Sequence, residues 1–341
     1  MHRWTDLSQV PAYFGPSVVT IGNFDGVHRG HAGVLRRMVA DARAVGSRAV
    51  AVTFDPHPAQ VHRPAAAPPL ITGLEDRLEL LAETGLDAVL VIAYSLEFAR
   101  TTPEDFVRTY LVDGLRASTV VVGHDVRFGR DNSGDLATML ALGAEMGFAV
   151  DVIEDVHGPA AAAAAGESSR RWSSTWVREL LVGGDVAAAA QILGRPHRVR
   201  GTVVHGDARG RELGYPTANL GQDATGMVPA DGVYAGWLHR TRSAGGADGR
   251  DGADVRLPVA ISVGTNPTFD GLQRRVEAHV PDRTDLELYD EVVVVEFVHR
   301  LRPTVRFDSV DDLVEQMAVD VDHTREHLGL PAPRLGRSAA D

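Results

Sequence analysis

The sequence predicts an α/β domain built on a parallel sheet, followed by a β domain of antiparallel strands that ends in a helix. Three observations carry this. Up to about residue 153 the chain alternates β-branched apolar runs with amphipathic segments of helical spacing, as a sheet covered on both faces requires. From about residue 197 it changes to short strands of alternating apolar and polar residues, separated by Gly, Pro and Asp, which suits an antiparallel sheet or barrel. At 341 residues the chain is long enough for two separate cores.

The elements follow in order. Ser17 to Ile21 is β-branched and apolar, a buried parallel strand, and from His31 onward Val34, Leu35, Met38 and Val39 recur at helical spacing. Strands are expected at 48–54, 88–92, 119–122 and 149–153, with helices at 73–84, 103–112 and 134–146. Such a sheet places its ligand site beyond the carboxyl ends of the strands. Residues 158–169 are alanine-rich and read as a surface loop without function of its own. A helix opens after Trp172 and runs through Leu181, and a boundary falls near Gly183, Gly184 and Asp185, before a linking helix at 187–193. This gives domains at 1–186 and 187–331, with a frayed tail at 332–341. In the second domain strands are expected at 197–204, 232–238, 255–263, 274–280 and 291–299, a hairpin loop at 241–254, and an amphipathic helix at 310–328.

Composition limits the chemistry. There is no cysteine, which excludes disulfides, thiolate zinc sites and cysteine nucleophiles. All 34 basic residues are arginine, so the P-loop lysine, the protein-kinase lysine and any Schiff-base lysine are excluded together. Phosphate must be held by Arg, His, backbone amides and a metal on oxygen ligands. A formal charge of -12 argues against general binding to nucleic acid or anionic membranes. No signal peptide or membrane-length apolar run is visible, so a soluble cytoplasmic protein is expected. An acidic chain with exposed loops could also form a homo-oligomer.

The run T-I-G-N-F-D-G-V-H-R-G-H, from Thr20 to His31, turns from a strand into a helix. Gly22, Gly26 and Gly30 remove side chains where phosphates would approach the backbone, Asn23, Phe24 and Asp25 fill the turn, and the helix start favours an anion. His28 and His31, three apart, fall on one face, where imidazoles can donate to a charged transition state. Two further loops follow strands, T-F-D-P-H-P at 53–58 and G-H-D-V-R-F-G at 123–129, the latter carrying Asp125, Arg127 and Phe128. In W-S-S-T-W-V-R at 172–178, Ser174 and Thr175 can simply cap a helix, or with Arg178 they can grip a triphosphate.

The second domain has its own glycine-rich loop, G-T-V-V-H-G-D-A-R-G-R-E-L-G-Y-P-T-A-N, from Gly201 to Asn219. It is neither a P-loop nor a protein-kinase loop. Gly206, Gly210 and Gly214 permit close approach of a nucleotide, and Thr217 and Asn219 are hard oxygen ligands suited to Mg²⁺. In R-V-E-A-H at 275–279, Glu277 points to the opposite face from Val276 and Ala278.

The G-N-F-D-G-V-H-x-G-H form, the S-S-T-x-V-R segment, P-T-A-N and V-E-x-H occur in one order along nearly the whole chain. Together they resemble the bacterial bifunctional riboflavin kinase/FMN adenylyltransferase (FAD synthetase) family. The resemblance implies a Rossmann-like nucleotidyltransferase domain followed by a riboflavin-kinase-like antiparallel β-barrel. It implies two reactions: riboflavin phosphorylated by ATP to FMN, and FMN adenylylated by ATP to FAD and pyrophosphate. It also implies the roles of residues. Gly22, Asn23, Phe24, Gly26, His28 and His31 would bind nucleotide, with the two histidines catalytic, and Ser174, Thr175 and Arg178 would hold the leaving pyrophosphate. Asp125 and Phe128 would shape the flavin pocket, although Val126 stands where the family more often has an aromatic residue. In the kinase half, Gly206, Gly210 and Gly214 would contact nucleotide, Thr217 and Asn219 would hold Mg²⁺, and Glu277 would be the general base for the flavin 5′-hydroxyl. Two other readings of the same residues are an adenylyltransferase for a different acceptor, since H-x-G-H alone does not choose one, and a flavin sensor without turnover.

Overall fold

The structure, a computed structural model, describes residues 1–154, 170–206, 213–240, 256–268, 271–283 and 285–331. The alanine-rich segment, the hairpin loop at 241–254, the tail at 332–341 and Gly210 lie outside the described residues. The chain divides into two compact units, residues 1–70 with 74–174, and residues 71–73 with 175–341.

The first unit is a six-stranded sheet in the order β1 (His2–Trp4), β4 (Ala88–Ala93), β3 (Arg48–Asp55), β2 (Ser17–Ile21), β5 (Ala117–Gly123) and β6 (Ala149–Ile153). Every pairing is parallel, with Val19 opposite Val50 and Val120 at the centre. Period-two alternation sorts the side chains into two cores. Val19, Val50, Val52 and Leu90 bury on one face with Phe106, Leu111 and Met139. Val18, Ala49, Ala51 and Val89 bury on the other, against Leu35, Met38 and Leu81. Those partners come from α1 (Arg29–Ala44), α3 (Leu74–Ala82), α4 (Pro103–Phe106) with the helical segment Val107–Gly114 that continues it, and α5 (Leu136–Met146).

Three local features depart from the expected elements. The helix expected over 103–112 is α-helical only through Phe106. It continues over Val107–Gly114 with wider turns, in which Leu115 N–H donates to Tyr110 O, five residues back. The loop at 53–58 does more than end a strand, because His57 caps a short helix α2 (Pro58–His62): its Nδ1 accepts from Ala59 N–H, and Gln60 closes the capping box. The edge strand β1 has no counterpart in the expected pattern.

The second unit is a closed antiparallel barrel in the order β10 (Arg256–Thr268), β11 (Gly271–His279), β8 (Thr217–Leu220), β7 (His197–Val204), β12 (Val292–Arg302) and β9 (Gly232–Arg240). Closure removes exposed edges. Its interior takes Val199, Val203, Leu238, Val259, Ile261, Val276, Val293, Val295 and Phe297, all nearly or fully buried. β8 was not expected as a strand; it is four residues long and sits at the end of the glycine-rich segment. Helix α8 (Val310–His327), capped by Ser309, packs on β9, β10 and β12. Helices α6 (Ser174–Gly183) and α7 (Val186–Leu193) precede the barrel. Nearly all of α6 counts with the barrel unit, where Ala230 N–H donates to Leu181 O and Arg300 to Gly183 O.

Candidate active sites

The first site lies where β2 gives way to α1. His28 is the N-cap of α1: its Nδ1 accepts from His31 N–H at 3.3 Å, which leaves Nε2 as the ring's N–H donor. The His31 ring stacks on His28 at 3.7 Å, while Phe24 meets its edge. Burial, then the neighbouring His28 and Arg171, holds the His31 pKa well below its ordinary value, so His31 is neutral at pH 7. Two imidazoles, that of His31 neutral, thus face the amino end of a sixteen-residue helix, where backbone N–H groups favour an anion.

The turn that delivers them is constrained. Gly26 has φ of 81°, a region open to glycine, whereas Phe24 at 48° and Val27 at 36° hold left-handed conformations that ordinary side chains disfavour. The hydroxyl of Ser174 donates to Asp25 O at 2.8 Å, so the residue expected to touch phosphate also ties down the loop. A cavity of about 310 Å³ opens beside the histidines, lined by Gly22, Phe24, His28, His31, Asp125, Arg171, Trp172 and Ser174. Asp125 pairs with Arg171 at 2.9 Å.

Not every candidate lines this cavity. Asn23 contributes its carbonyl to the loop framework, accepting from Arg77 and Thr53. Phe128 is buried in the core with its ring 6.2 Å from that of Phe106, so it supports the 123–129 loop from beneath, while Asp125 reaches the cavity. Thr175 and Arg178 share α6, three residues apart, away from the buried Val177 and Leu181. Arg77 and Arg171 belong to none of the sequence motifs, and Trp172 only opens one. Arg77 was visible as a lone arginine among Leu74, Leu78 and Leu81 on an apolar helix face. A separate cavity of about 450 Å³ in the same unit is lined by Pro58, His62, Arg63, Tyr94, Asp131 and Asn132, with His62 and Tyr94 hydrogen-bonded at 2.8 Å.

The second site lies on the barrel, where register brings two distant motifs together. Glu277 on β11 stands opposite Asn219 on β8, and His279 opposite Thr217. Ala218, Leu220, Val276 and Ala278 point into the barrel and are buried, so the alternate residues Thr217, Asn219, Glu277 and His279 share the other face. The Asn219 amide donates to the carbonyl and hydroxyl of Thr217, at 3.3 Å each, which aligns the two oxygen-bearing side chains. A Cβ on Gly206 would stand 2.5 Å from the Asn219 amide, so a larger residue there would displace that side chain. Gly214, further along the loop, has φ of 85°.

Thr217, Glu277 and His279 line a cavity of about 350 Å³, together with Tyr215 and Ser262 and, from the α8 side, Met317 and Asp320. His279 donates Nδ1–H to Pro216 O at 2.9 Å, and burial lowers its pKa. Arg302 grips Asp320 with two bonds, at 2.8 and 2.7 Å, clasping α8 to the last strand. The described residues contain no group of three or more His, Asp or Glu able to enclose a metal. Thr217 and Asn219 carry side-chain oxygens on one face of β8, a donor type that suits a hard cation completing its shell with phosphate and water.

Comparison with known proteins agrees with this division. The sequence profile of a family described as FAD synthetase matches residues 11–163, and that of riboflavin kinase matches residues 193–328. A bifunctional riboflavin kinase/FMN adenylyltransferase of Escherichia coli K12 is 34% identical over 96% of this chain and 97% of its own. That of Listeria monocytogenes is 32% identical over 95% and 93%. A crystal structure of a Streptococcus pneumoniae protein, described as a macrolide-efflux protein, shares the fold at a TM-score of 0.78 and 30% identity, covering 95% of this chain and 98% of that one. No helix among the described residues is long and apolar enough to cross a membrane. With two catalytic modules in tandem and relatives aligned along almost its whole length, the chain belongs to the bifunctional riboflavin kinase/FMN adenylyltransferase family.

Proposed function

We propose that the barrel phosphorylates riboflavin and that the parallel-sheet unit adenylylates the resulting FMN, each with its own ATP. The observation that carries this is the pairing of Glu277 with Asn219 across β11 and β8, in a chain that also stacks His28 and His31 at the start of α1. In the barrel, Glu277 takes the proton of the riboflavin 5′-hydroxyl as that oxygen bonds the γ-phosphorus and ADP leaves. Thr217 and Asn219 would hold Mg²⁺, which when bound offsets charge on the transferring phosphoryl group. Gly206, Gly210 and Gly214 let the nucleotide approach the backbone.

In the other unit, a phosphate oxygen of FMN bonds the α-phosphorus of ATP and pyrophosphate departs. The N–H groups of His28, His31 and the first turn of α1 donate to the charge that develops on the phosphoryl oxygens. Gly22, Asn23, Phe24 and Gly26 form the turn against the nucleotide, and Ser174, Thr175 and Arg178 receive the pyrophosphate. Asp125 meets the flavin side of the cavity, with Phe128 bracing its loop from the core. The proposed division of the chain remains 1–186 for adenylylation and 187–331 for the kinase. The substrates are small molecules in the cytoplasm, and the net charge of -12 offers nucleic acid no attraction.

The test is FAD synthesis from riboflavin and ATP, with nicotinamide mononucleotide and phosphopantetheine as competing acceptors. FMN and FAD are expected from riboflavin, and no adenylylation of the other two. Turnover should stop with a chelator and return with Mg²⁺. Full rate after exhaustive chelation would remove the metal from the account, and adenylylation of another acceptor in preference to FMN would remove the flavin.

A further inference from the structure

Arg77, in the first turn of α3, is 1% exposed, yet it carries a guanidinium into the floor of the parallel-sheet unit. Its two terminal nitrogens do different things. One donates to Asn23 O at 3.1 Å, and the other to Phe54 O at 3.0 Å while standing 3.5 Å from the Asp55 carboxylate. These carbonyls lie just past β2 and near the end of β3. They belong to two of the three loops that leave the carboxyl edge of the sheet with unusual chemistry. A buried cation aimed at carbonyls, with Nε left without a partner among the described residues, is costly for a core that leucine could fill.

The loop that Arg77 grips explains the cost. Asn23 is followed at once by Phe24 in a left-handed conformation, and Val27, also left-handed and β-branched, immediately precedes His28. Such conformations persist only where the surroundings over-determine them. Anchors that grip the backbone of the turn include Arg77 and the Thr53 hydroxyl on Asn23 O, Ser174 on Asp25 O, Gly22 N–H on Val52 O, and Val27 N–H on Phe24 O. Arg77 and the Thr53 hydroxyl both tie the 22–28 turn to the 53–58 loop at Asn23 O, but only the planar fork of Arg77 also holds a second carbonyl, that of Phe54.

Resting on the assignment of adenylylation to this unit, we propose that Arg77 is a positioning residue for that reaction, fixing the strained turn that presents His28 and His31. It touches no substrate. It sets the distance between two loops, and a displacement of about 1 Å at such a distance from the chemistry can cost 10²-fold in rate.

The experiment uses the full chain. Arg77→Ala should lower kcat for FMN adenylylation by about 10²-fold, while riboflavin phosphorylation by the same molecules stays at the wild-type rate and reports folded barrel. Guanidinium chloride at sub-denaturing concentration should then restore a saturable part of the lost rate, and sodium chloride at equal ionic strength should not. Arg77→Lys, which keeps the charge without the fork, should be impaired and should not respond to guanidinium. Wild-type adenylylation in Arg77→Ala would overturn the proposal. So would a loss that guanidinium leaves unchanged, which would give Arg77 a role in folding alone. A wild-type protein that makes no FAD would instead refute the assignment of function.

Discussion

His31 shows what a single side chain contributes and costs. Its ring sits under Phe24 and against His28, and burial keeps its pKa well below 6.5, so it does not gain a proton where an unfolded histidine would. The sign follows from linkage: the stability associated with neutral His31 is present above 6.5 and is lost as pH falls from there toward the folded-state value. Melting temperatures measured at about pH 7.5 and about pH 5.5 should therefore fall more in the wild type than in His31→Gln. Equal falls would mean that His31 protonates freely in the folded protein. The spacing of His28 and His31 made this pair legible in the sequence, because three residues at a helix start fix their relation locally. Arg77 was not legible in the same way: its partners, Asn23 and Phe54, are backbone carbonyls that only the folded sheet brings to it.

Among the elements, α8 carries the clearest consequence. Arg302 and Asp320 form a pair with little exposure, 19% and 6% for the two side chains, and this pair fastens α8 beside the kinase cavity. Asp320→Ala strands the guanidinium and should cost the barrel roughly 3 to 5 kcal/mol, read by urea unfolding. Replacing both residues, as Arg302→Met with Asp320→Leu, should recover most of that loss. A double variant no more stable than the single one would show that the clasp contributes more than charge compensation. Elements with strong periodicity were readable, and β2 and β6 have the expected limits. β1 and β8 were not, since three and four residues are too few to show alternation and both owe their state to a neighbouring strand. The wide turns at Val107–Gly114 share the apolar spacing of an ordinary helix, so nothing in the pattern distinguished them.

At the scale of the whole molecule, the change from βα units to a barrel was legible because the period of the pattern changes with it. The place of α6 was not: it follows the parallel-sheet motifs in sequence, but Val177 and Leu181 are fully buried and Leu181 O accepts from Ala230 of the barrel unit. A fragment of residues 187–331 should convert riboflavin to FMN and go no further. One of residues 175–331, which regains two buried aliphatic side chains, should melt higher by roughly 5 °C or more; equal melting would detach α6 from the barrel. The central claim is that one chain holds two separable chemistries. It is tested most directly by chromatographic separation of riboflavin, FMN and FAD after each of two full-length variants is incubated with ATP and either flavin. Glu277→Gln should slow FMN formation by roughly 10² to 10⁴-fold and still convert added FMN to FAD. His28→Ala should accumulate FMN, with adenylylation alone reduced by about 10² to 10³-fold. Loss of kinase activity in folded His28→Ala, or an unchanged kinase rate in Glu277→Gln, would contradict the assignment of the two reactions to the two units.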